Sequence, residues 1–453
     1  VSIESSLRLE APVVDVLGVG FGPANLSLAV LLEEAEPEAR LSRLFLEAKP
    51  DHAWHPDMLI EDSLLQITVL KDLITIENPQ SRFTFLCYLK EKGRLYDFLN
   101  LRDLFPTRLE FNDYLGWAAN QLRERVRYGR RVRSIVPAAA DGKPVAAGDS
   151  QTATLLRVEA EDPATGGREI FLGRNLVLAS GPRASVPPGV TLSEHAFHSD
   201  GYLRRVKEAF PDRDAPYRLL VVGSGQSGAE IFQNLLDRYP NADVTATIRR
   251  FAYKPVDESD FTNRIFFPEW TDRYHALPPE KRRAFLDDLR DVNYAVIDHS
   301  LIRAIYKRLY RQKVLGRERA RIEPFLELKR LDERGDGTVE AIFRNRMTGE
   351  ARDFEVDGAV ICTGYEWPKE HPLLEALAPY FLRDDLGGYR VARDSHVESR
   401  PTLTPKVYLQ GYCEDTHGIS ETVLSLLPVR ARWIQRSILN RHAAEARPVA
   451  ATP

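Results

Sequence analysis

Two glycine-rich turns carry the first chemistry in this chain: Gly18-Val19-Gly20-Phe21-Gly22-Pro23 near the start, and Gly223-Ser224-Gly225-Gln226-Ser227-Gly228 about two hundred residues later. Each follows a short apolar run of β type, residues 13–17 and 219–222, and each opens a helical pattern. A strand that turns sharply into a helix leaves the first N–H groups of the helix unpaired and aimed at a phosphate, and the helix dipole favours the negative charge. The second turn has all three glycines of the dinucleotide fingerprint, whereas the first has Pro23 where the third belongs. One such turn is also found between ordinary strands and helices. Two in the same local context predict two dinucleotides bound at once.

The elements around each turn say which dinucleotides. Residues 13–49 read as strand, glycine turn, helix (24–34) and second strand (44–47), with Glu47 at its end. A dinucleotide fold places a carboxylate there for the ribose hydroxyls, although Glu47 lies a little beyond the usual interval of about 20 residues. The second unit begins at Tyr217, and its second strand, 244–248, runs directly into Arg249 and Arg250. Arginine at that place suits a 2′-phosphate, so NADPH is expected over NADH, two solvated surface charges being the alternative. One site for a tightly held flavin, FAD, and one for a nicotinamide imply hydride passing from NADPH to the flavin. A disulfide acceptor would require two closely spaced cysteines beside the first turn. Cys87, Cys362 and Cys413 are widely separated, which leaves oxygen as the leading acceptor.

At 453 residues the chain is long enough for two to four domains, and 28% charged with 43% apolar residues is the balance of a globular protein. A net charge of −4 without long blocks of one sign argues against nucleic acid or a membrane surface and for small-molecule partners. Three cysteines without a C-x-x-C pair fit a reducing cytoplasm and supply no metal cluster. No apolar run reaches the roughly eighteen residues that span a bilayer. Residues 1–12 lack the basic-then-apolar order of a signal peptide, so a soluble, unexported protein is expected, and Val1 suggests a natural start upstream.

Residues 136–167, rich in Ala, Gly, Asp and Pro, read as an excursion between strands; 176–181 read as a buried strand ending in a tight turn; 182–188 read as an inter-domain connection. From 280 to 317 the pattern is helical, and strand character returns at 340–344 and 358–363, where Val-Ile-Cys-Thr-Gly-Tyr (360–365) mirrors the earlier Leu-Val-Leu-Ala-Ser-Gly. The expected fold is α/β, with two Rossmann-like dinucleotide-binding domains and a smaller helical substrate region. The expected boundaries are an FAD domain at 1–190 and 353–453, an NADPH domain at 191–257 and 321–352, and the helical region at 258–320.

Longer segments add a family. Residues 18–27 (Gly-Val-Gly-Phe-Gly-Pro-Ala-Asn-Leu-Ser), 65–73 (Leu-Gln-Ile-Thr-Val-Leu-Lys-Asp-Leu), 78–85, 105–115, 293–298 (Asn-Tyr-Ala-Val-Ile-Asp), 363–365 and 416–430 follow one another in a familiar order. From about residue 15 to 433 the chain resembles the flavin-dependent N-hydroxylating monooxygenases that make hydroxyornithine or hydroxylysine for siderophores, Pro23 included. The resemblance implies that reduced flavin and O2 give a C4a-hydroperoxide whose distal oxygen is attacked by the side-chain amine of a bound amino acid. That amine must be neutral; its free pKa is about 10.4, so a desolvated pocket would help.

By the same resemblance Gln66 sits over the flavin near the reacting oxygen, and Lys71 binds the substrate carboxylate. Asn263 and Asn293 hold the substrate's amino and carboxylate groups, Asn293 also bridging to retained NADP⁺, and Ser425 lines the flavin and amine end. Trp54 and His55 pack on the flavin. The cofactor contacts also include Gly18, Gly20, Gly22, Pro23, Gly223, Gly225, Gln226, Ser227, Gly228, Arg249, Thr363, Gly364 and Tyr365. His417 is given a structural or flavin-contacting role, since attack by a free amine requires no base. Read singly, Lys71 is a surface lysine, Gln66 a turn residue, the asparagines caps or loop formers, and Trp54 and His55 aromatic core. The resemblance also suggests a homo-oligomer, a tetramer or dimer.

Lys71 with Asn263 and Asn293 favours an α-amino acid over a diamine, which would meet the lysine with repulsion. The spacing of 72–79 resembles the ornithine enzymes, so L-ornithine is expected. L-Lysine or a diamine stays open, because one methylene is worth only about 1–3 kcal/mol of discrimination. A Baeyer–Villiger or heteroatom flavin monooxygenase is the alternative enzyme, although the histidine-rich linker that marks it is missing. An NADPH-binding redox sensor is the non-enzyme alternative.

Overall fold

Short apolar runs alternating with helices dictate parallel sheets covered on both faces, and a computed structural model describing residues 12–35, 40–148 and 151–445 has two. In the first, Val16–Val19 is central, flanked by Asn175–Leu178 and then Lys406–Leu409 on one side, and by Arg43–Leu46 and then Val126–Arg127 on the other. In the second, Arg218–Val222 is central, flanked by Gly358–Ile361 and Ala196–His198, and by Asp243–Thr247 and Ala320–Glu323. Residues 1–11, read above for a leader, lie outside the described residues.

The two units share one plan. In each, the strand beside the central one arrives after an antiparallel excursion. Arg131–Ala138, Leu155–Glu161 and Arg168–Gly173 precede Asn175–Leu178, while Leu326–Glu333, Val339–Asn345 and Ala351–Val356 precede Gly358–Ile361. The likeness of 176–181 to 360–365 is therefore that of equivalent strands. It also corrects the expected boundary at 352/353. Gly358–Ile361 pairs with Arg218–Val222, so the second unit extends past it, and the chain rejoins the first sheet only at Lys406–Leu409. A fully buried strand carries nothing in its composition to say which sheet it enters.

Two further departures have local causes. The apolar run 13–17 splits at Asp15: Val13–Val14 pairs with the antiparallel excursion and Val16–Val19 with the parallel sheet, while the Asp15 carboxylate accepts the Ser42 hydroxyl at 2.7 Å. The helical stretch 280–317 is a helix at Pro279–Asp288, a tight turn at Arg290–Val292 and a helix at His299–Val314. The break at 293–298 carries Ala295 at φ 56°. The units are crossed by Arg183–Ala184 and Tyr365–Glu366, which pair antiparallel.

Polar groups are buried where they brace the first glycine turn. The helix Pro23–Glu34 packs on Leu427–Glu445 through Leu31, Ala431, Ile434 and Ile438, yet contains Asn25 with no exposed surface. Its amide donates to the Gly20 carbonyl at 2.7 Å and accepts from Gln410 at 2.9 Å; Gln410 accepts from Arg430, which pairs with Glu421 at 3.1 Å. Burial pushes the Glu421 carboxyl up and Arg430 pulls it back. Each member has its partners, as a buried chain of this kind requires.

The units are joined by Arg108, at the start of the helix Arg108–Gln121, which makes a two-pronged pair with buried Glu230 of the helix Gln226–Arg238 at 2.9 and 3.0 Å. Glu230→Ala would leave that guanidinium without its counter-charge at the seam and is expected to cost about 3 kcal/mol in chemical unfolding. Glu230→Gln should cost less; unchanged midpoints in both would remove the pair as the seam's anchor.

His417 is 1% exposed, and burial, aided by His275 and Arg393, lowers its pKa to about 3. This fits the structural role given to it. Since the folded pKa lies below the unfolded one, the unfolded chain takes up the proton first. The His417 contribution is whole above pH about 6.5 and falls as the pH drops toward about 3, by about 2 kcal/mol at pH 5. Urea midpoints of His417→Asn should fall less than wild type between pH 7 and 5; parallel curves would assign the acid sensitivity elsewhere.

Candidate active site

Both glycine turns press against the end of the neighbouring strand. At Gly20, with φ 83°, a Cβ would stand 2.4 Å from the Ala179 carbonyl oxygen; at Gly223, with φ 146°, it would stand 2.2 Å from that of Cys362. Gly18 lies under the Phe45 ring, and Gly228 packs on the Gly223 carbonyl. Only glycine satisfies these approaches. Gly22, by contrast, faces open space with nothing within 4 Å.

The helices that start here lack side-chain caps at Gly22 and Gly225, whereas those starting at Phe85, Arg108 and His299 are closed by Thr84, Thr107 and Asp298. Two open helix N-termini behind glycine turns fit the pyrophosphates of FAD and NADPH. Pro23 is the first helical residue, where a missing N–H costs nothing. Glu47 stands at its strand end, buried; one oxygen accepts the Phe21 N–H at 2.7 Å and the other the Lys49 N–H at 3.0 Å. Its first task is thus to hold the turn. Of the two arginines after Asp243–Thr247, Arg250 is engaged by Asp291, while Arg249 is exposed with no ion-pair partner among the described residues.

The segments expected around the flavin meet at the crossing between units. The His55 ring lies 5.5 Å from Trp54 and 5.8 Å from Tyr365. Trp54 also packs on Phe111, so part of its role is core. The Thr363 hydroxyl donates to the Ser185 carbonyl, and the Gly364 carbonyl accepts from Ser185 N–H at 2.9 Å and contacts the His198 ring at 3.0 Å.

The segments of the substrate candidates pack on the stretch 419–426. The turn Val69–Lys71 packs against Leu424–Leu426, which carries buried Ser425, and Thr262–Phe266 packs against Ile419–Thr422. Lys71 Nζ lies 5.7 Å from the Phe266 ring centre, with no ion-pair partner among the described residues, and burial lowers its pKa. Asn263, in the same turn as Phe266, donates to the Glu258 carbonyl at 3.0 Å. Asn293 is exposed on the helix break, whose neighbour Tyr294 is pinned to Glu414 and, at 3.3 Å, to Thr422. A Cβ on Gly225 would stand 3.6 Å from Ala295 of that break. Gln66 is exposed, its amide 3.5 Å from Gln226 of the second turn; Gln226 donates to Glu230 at 2.8 Å and accepts the Asp298 N–H at 2.9 Å. Ser227 follows it at the open end of the helix.

Sequence reasoning missed Asn25, Arg108, Glu230, Tyr294, Gln410 and Glu421. Asn25 was legible as the one amide in the apolar run 23–32. Arg108 and Glu230 had no local signal, since their meaning depends on a partner more than a hundred residues away.

Residues 12–367 match the family described as L-lysine 6-monooxygenase/L-ornithine 5-monooxygenase. An L-ornithine N(5)-monooxygenase of Burkholderia cepacia is 40% identical over 410 residues, 90% of each chain. A Kutzneria ornithine N-hydroxylase, solved with reduced FAD, NADP⁺ and L-ornithine, is 36% identical with a TM-score of 0.88, over 95% of this chain and all of that one. An L-lysine 6-monooxygenase from Pseudomonas syringae is 32% identical with a TM-score of 0.82, over 95% and 99% of the two chains. With a sheet pair, two open glycine turns and a convergent polar seam in place, the chain belongs to the L-lysine 6-monooxygenase/L-ornithine 5-monooxygenase family.

Proposed function

We propose that the chain hydroxylates the side-chain amine of L-ornithine to N5-hydroxyornithine with FAD, NADPH and O2, for a hydroxamate siderophore or a related product. The observation that carries the substrate is Lys71, a half-buried cation without a carboxylate partner among the described residues, facing the turn that holds Asn263. An incoming α-carboxylate would supply the missing charge and offset the cost of its burial. Asn293 projects from a break pinned by Tyr294, beside the second glycine turn, which suits a residue that touches both substrate and nucleotide.

When bound, the flavin reduced by NADPH supplies the activated oxygen. The residues of the chain do the rest. Lys71, Asn263 and Asn293 orient the amino acid, Ser425 and Gln66 line its reacting end, and the packed seam around Leu424–Leu426 limits water so that the amine is met in its neutral form. We read the flavin unit as discontinuous, with the NADPH unit inserted in it and the helical region inserted in that. The three free cysteines suit a cytoplasmic setting. The exposed Leu99, Leu101, Leu104 and Phe105 suit a homo-oligomer.

The test is hydroxylamine formed per NADPH consumed in air, with L-ornithine, L-lysine, putrescine or no amine. Near one-to-one product with ornithine alone is expected; hydrogen peroxide with every amine would discard the substrate and keep the oxygen chemistry. Lys71→Ala should raise the KM for ornithine at least tenfold, about 1.4 kcal/mol or more, and leave NADPH oxidation largely intact. An unchanged KM would remove Lys71 from the substrate site.

A further inference from the structure

Away from both glycine turns, the helices Pro268–His275 and Pro279–Asp288 pack on part of the first unit, and between His275, Arg282 and the segment 383–398 lies an open pocket of about 390 Å³. Arg282 lines it and is 8% exposed. Its carbonyl accepts the Tyr274 hydroxyl, but its guanidinium, the buried Nε included, has no hydrogen-bond or ion-pair partner among the described residues. The other two arginines of the pocket are already paired. Arg383 pairs with Glu370 and Arg390 with Glu398, at 2.5 and 2.7 Å. The His275 ring contacts the Val391 carbonyl at 2.9 Å. Asp384 accepts the N–H groups of Leu386 and Gly388 in its own turn, and Asp385 is exposed at the rim.

Asp384 and Asp385 have no ion-pair partner among the described residues either, but neither is buried; Arg282 is the one charge of the lining that is both buried and unmatched. A guanidinium cannot shed its proton to escape the cost, as a buried lysine would. Filling the space with a hydrophobe would have been the cheaper packing. We propose that this pocket binds a small oxyanion, a carboxylate or a phosphate, held by the Arg282 fork and flanked by Arg383 and Arg390. Bidentate capture of a planar or tetrahedral oxyanion is what that fork is shaped for. The anion would tie the helical region to the first unit, since the same pocket is lined by Thr416 of the short helix Glu414–His417.

The experiment uses the holoenzyme with FAD and saturating NADP⁺, so that the nucleotide sites cannot take the probe. Inorganic phosphate, and acetate in a second arm, replace chloride at constant pH and ionic strength while the unfolding temperature is followed. A saturable rise in wild type with one or both anions is expected, and the arm that responds names the source. Arg282→Met should abolish that rise and melt higher than wild type in chloride. Should that variant not fold, Arg282→Lys keeps the charge without the fork, and its half-saturation should move at least tenfold higher. No rise in wild type, an equal rise in Arg282→Met, or an unmoved half-saturation in Arg282→Lys would overturn the proposal. So would sedimentation showing that Arg282→Met dissociates an oligomer indifferent to both anions, because a second copy would then be supplying the carboxylate.

Discussion

Everything in this fold depends on two places where backbone meets backbone with no side chain between. Gly20 lies against the Ala179 carbonyl and Gly223 against that of Cys362, each in a left-handed conformation. A methyl group at either place would push the turn off the adjacent strand, and the following helix would no longer begin at the strand ends. The uncapped N-termini gain their meaning from this contact. A helix end left open is a defect in most settings; here it is held at a fixed place against a sheet, where a phosphate can complete it.

The second level of order is the seam. On the proposed reading the substrate residues are drawn from both sides of it, Lys71 and Ser425 from the first unit, Asn263 and Asn293 from the helical region within the second. The seam is held by a few polar groups: Arg108 with Glu230, and Tyr294 with Glu414. Polar contacts of this kind fix register better than apolar ones, since a shift of even an ångström breaks them.

How much of this was legible follows from how local each signal is. The glycine turns, the strands beside them and the antiparallel excursion at 136–167 are written in consecutive residues, and they fall where expected. The helix break at 293–298 was not read as a break, although Asn, Tyr, Val, Ile and Asp are weak helix formers and Asp298 caps the next helix; the pinning of Tyr294 and the pairing of 255 with 297 reinforce that local preference. The misplaced boundary at 353 has a different origin, since a buried strand takes its address from its neighbours. For the candidate site, residue types named Lys71, Asn263, Asn293 and Ser425; Val69–Lys71 lies against Leu424–Leu426, Thr262–Phe266 against Ile419–Thr422, and Tyr294 ties the break to Thr422. The bracing residues Asn25, Gln410, Arg430 and Glu421 lie up to 385 residues apart in pairs, a distance over which one sequence offers no cue.

The split of the first sheet bears on how the chain reaches this state during synthesis. All strands of the second parallel sheet lie between residues 196 and 361, whereas the first sheet lacks its edge until Lys406–Leu409 pairs with Asn175–Leu178. On a ribosome the later unit can therefore close while the earlier one waits with an open strand edge. Contacts of such long sequence separation form slowly and leave that edge exposed to association in the meantime. The part of the molecule made first is thus the last to be finished.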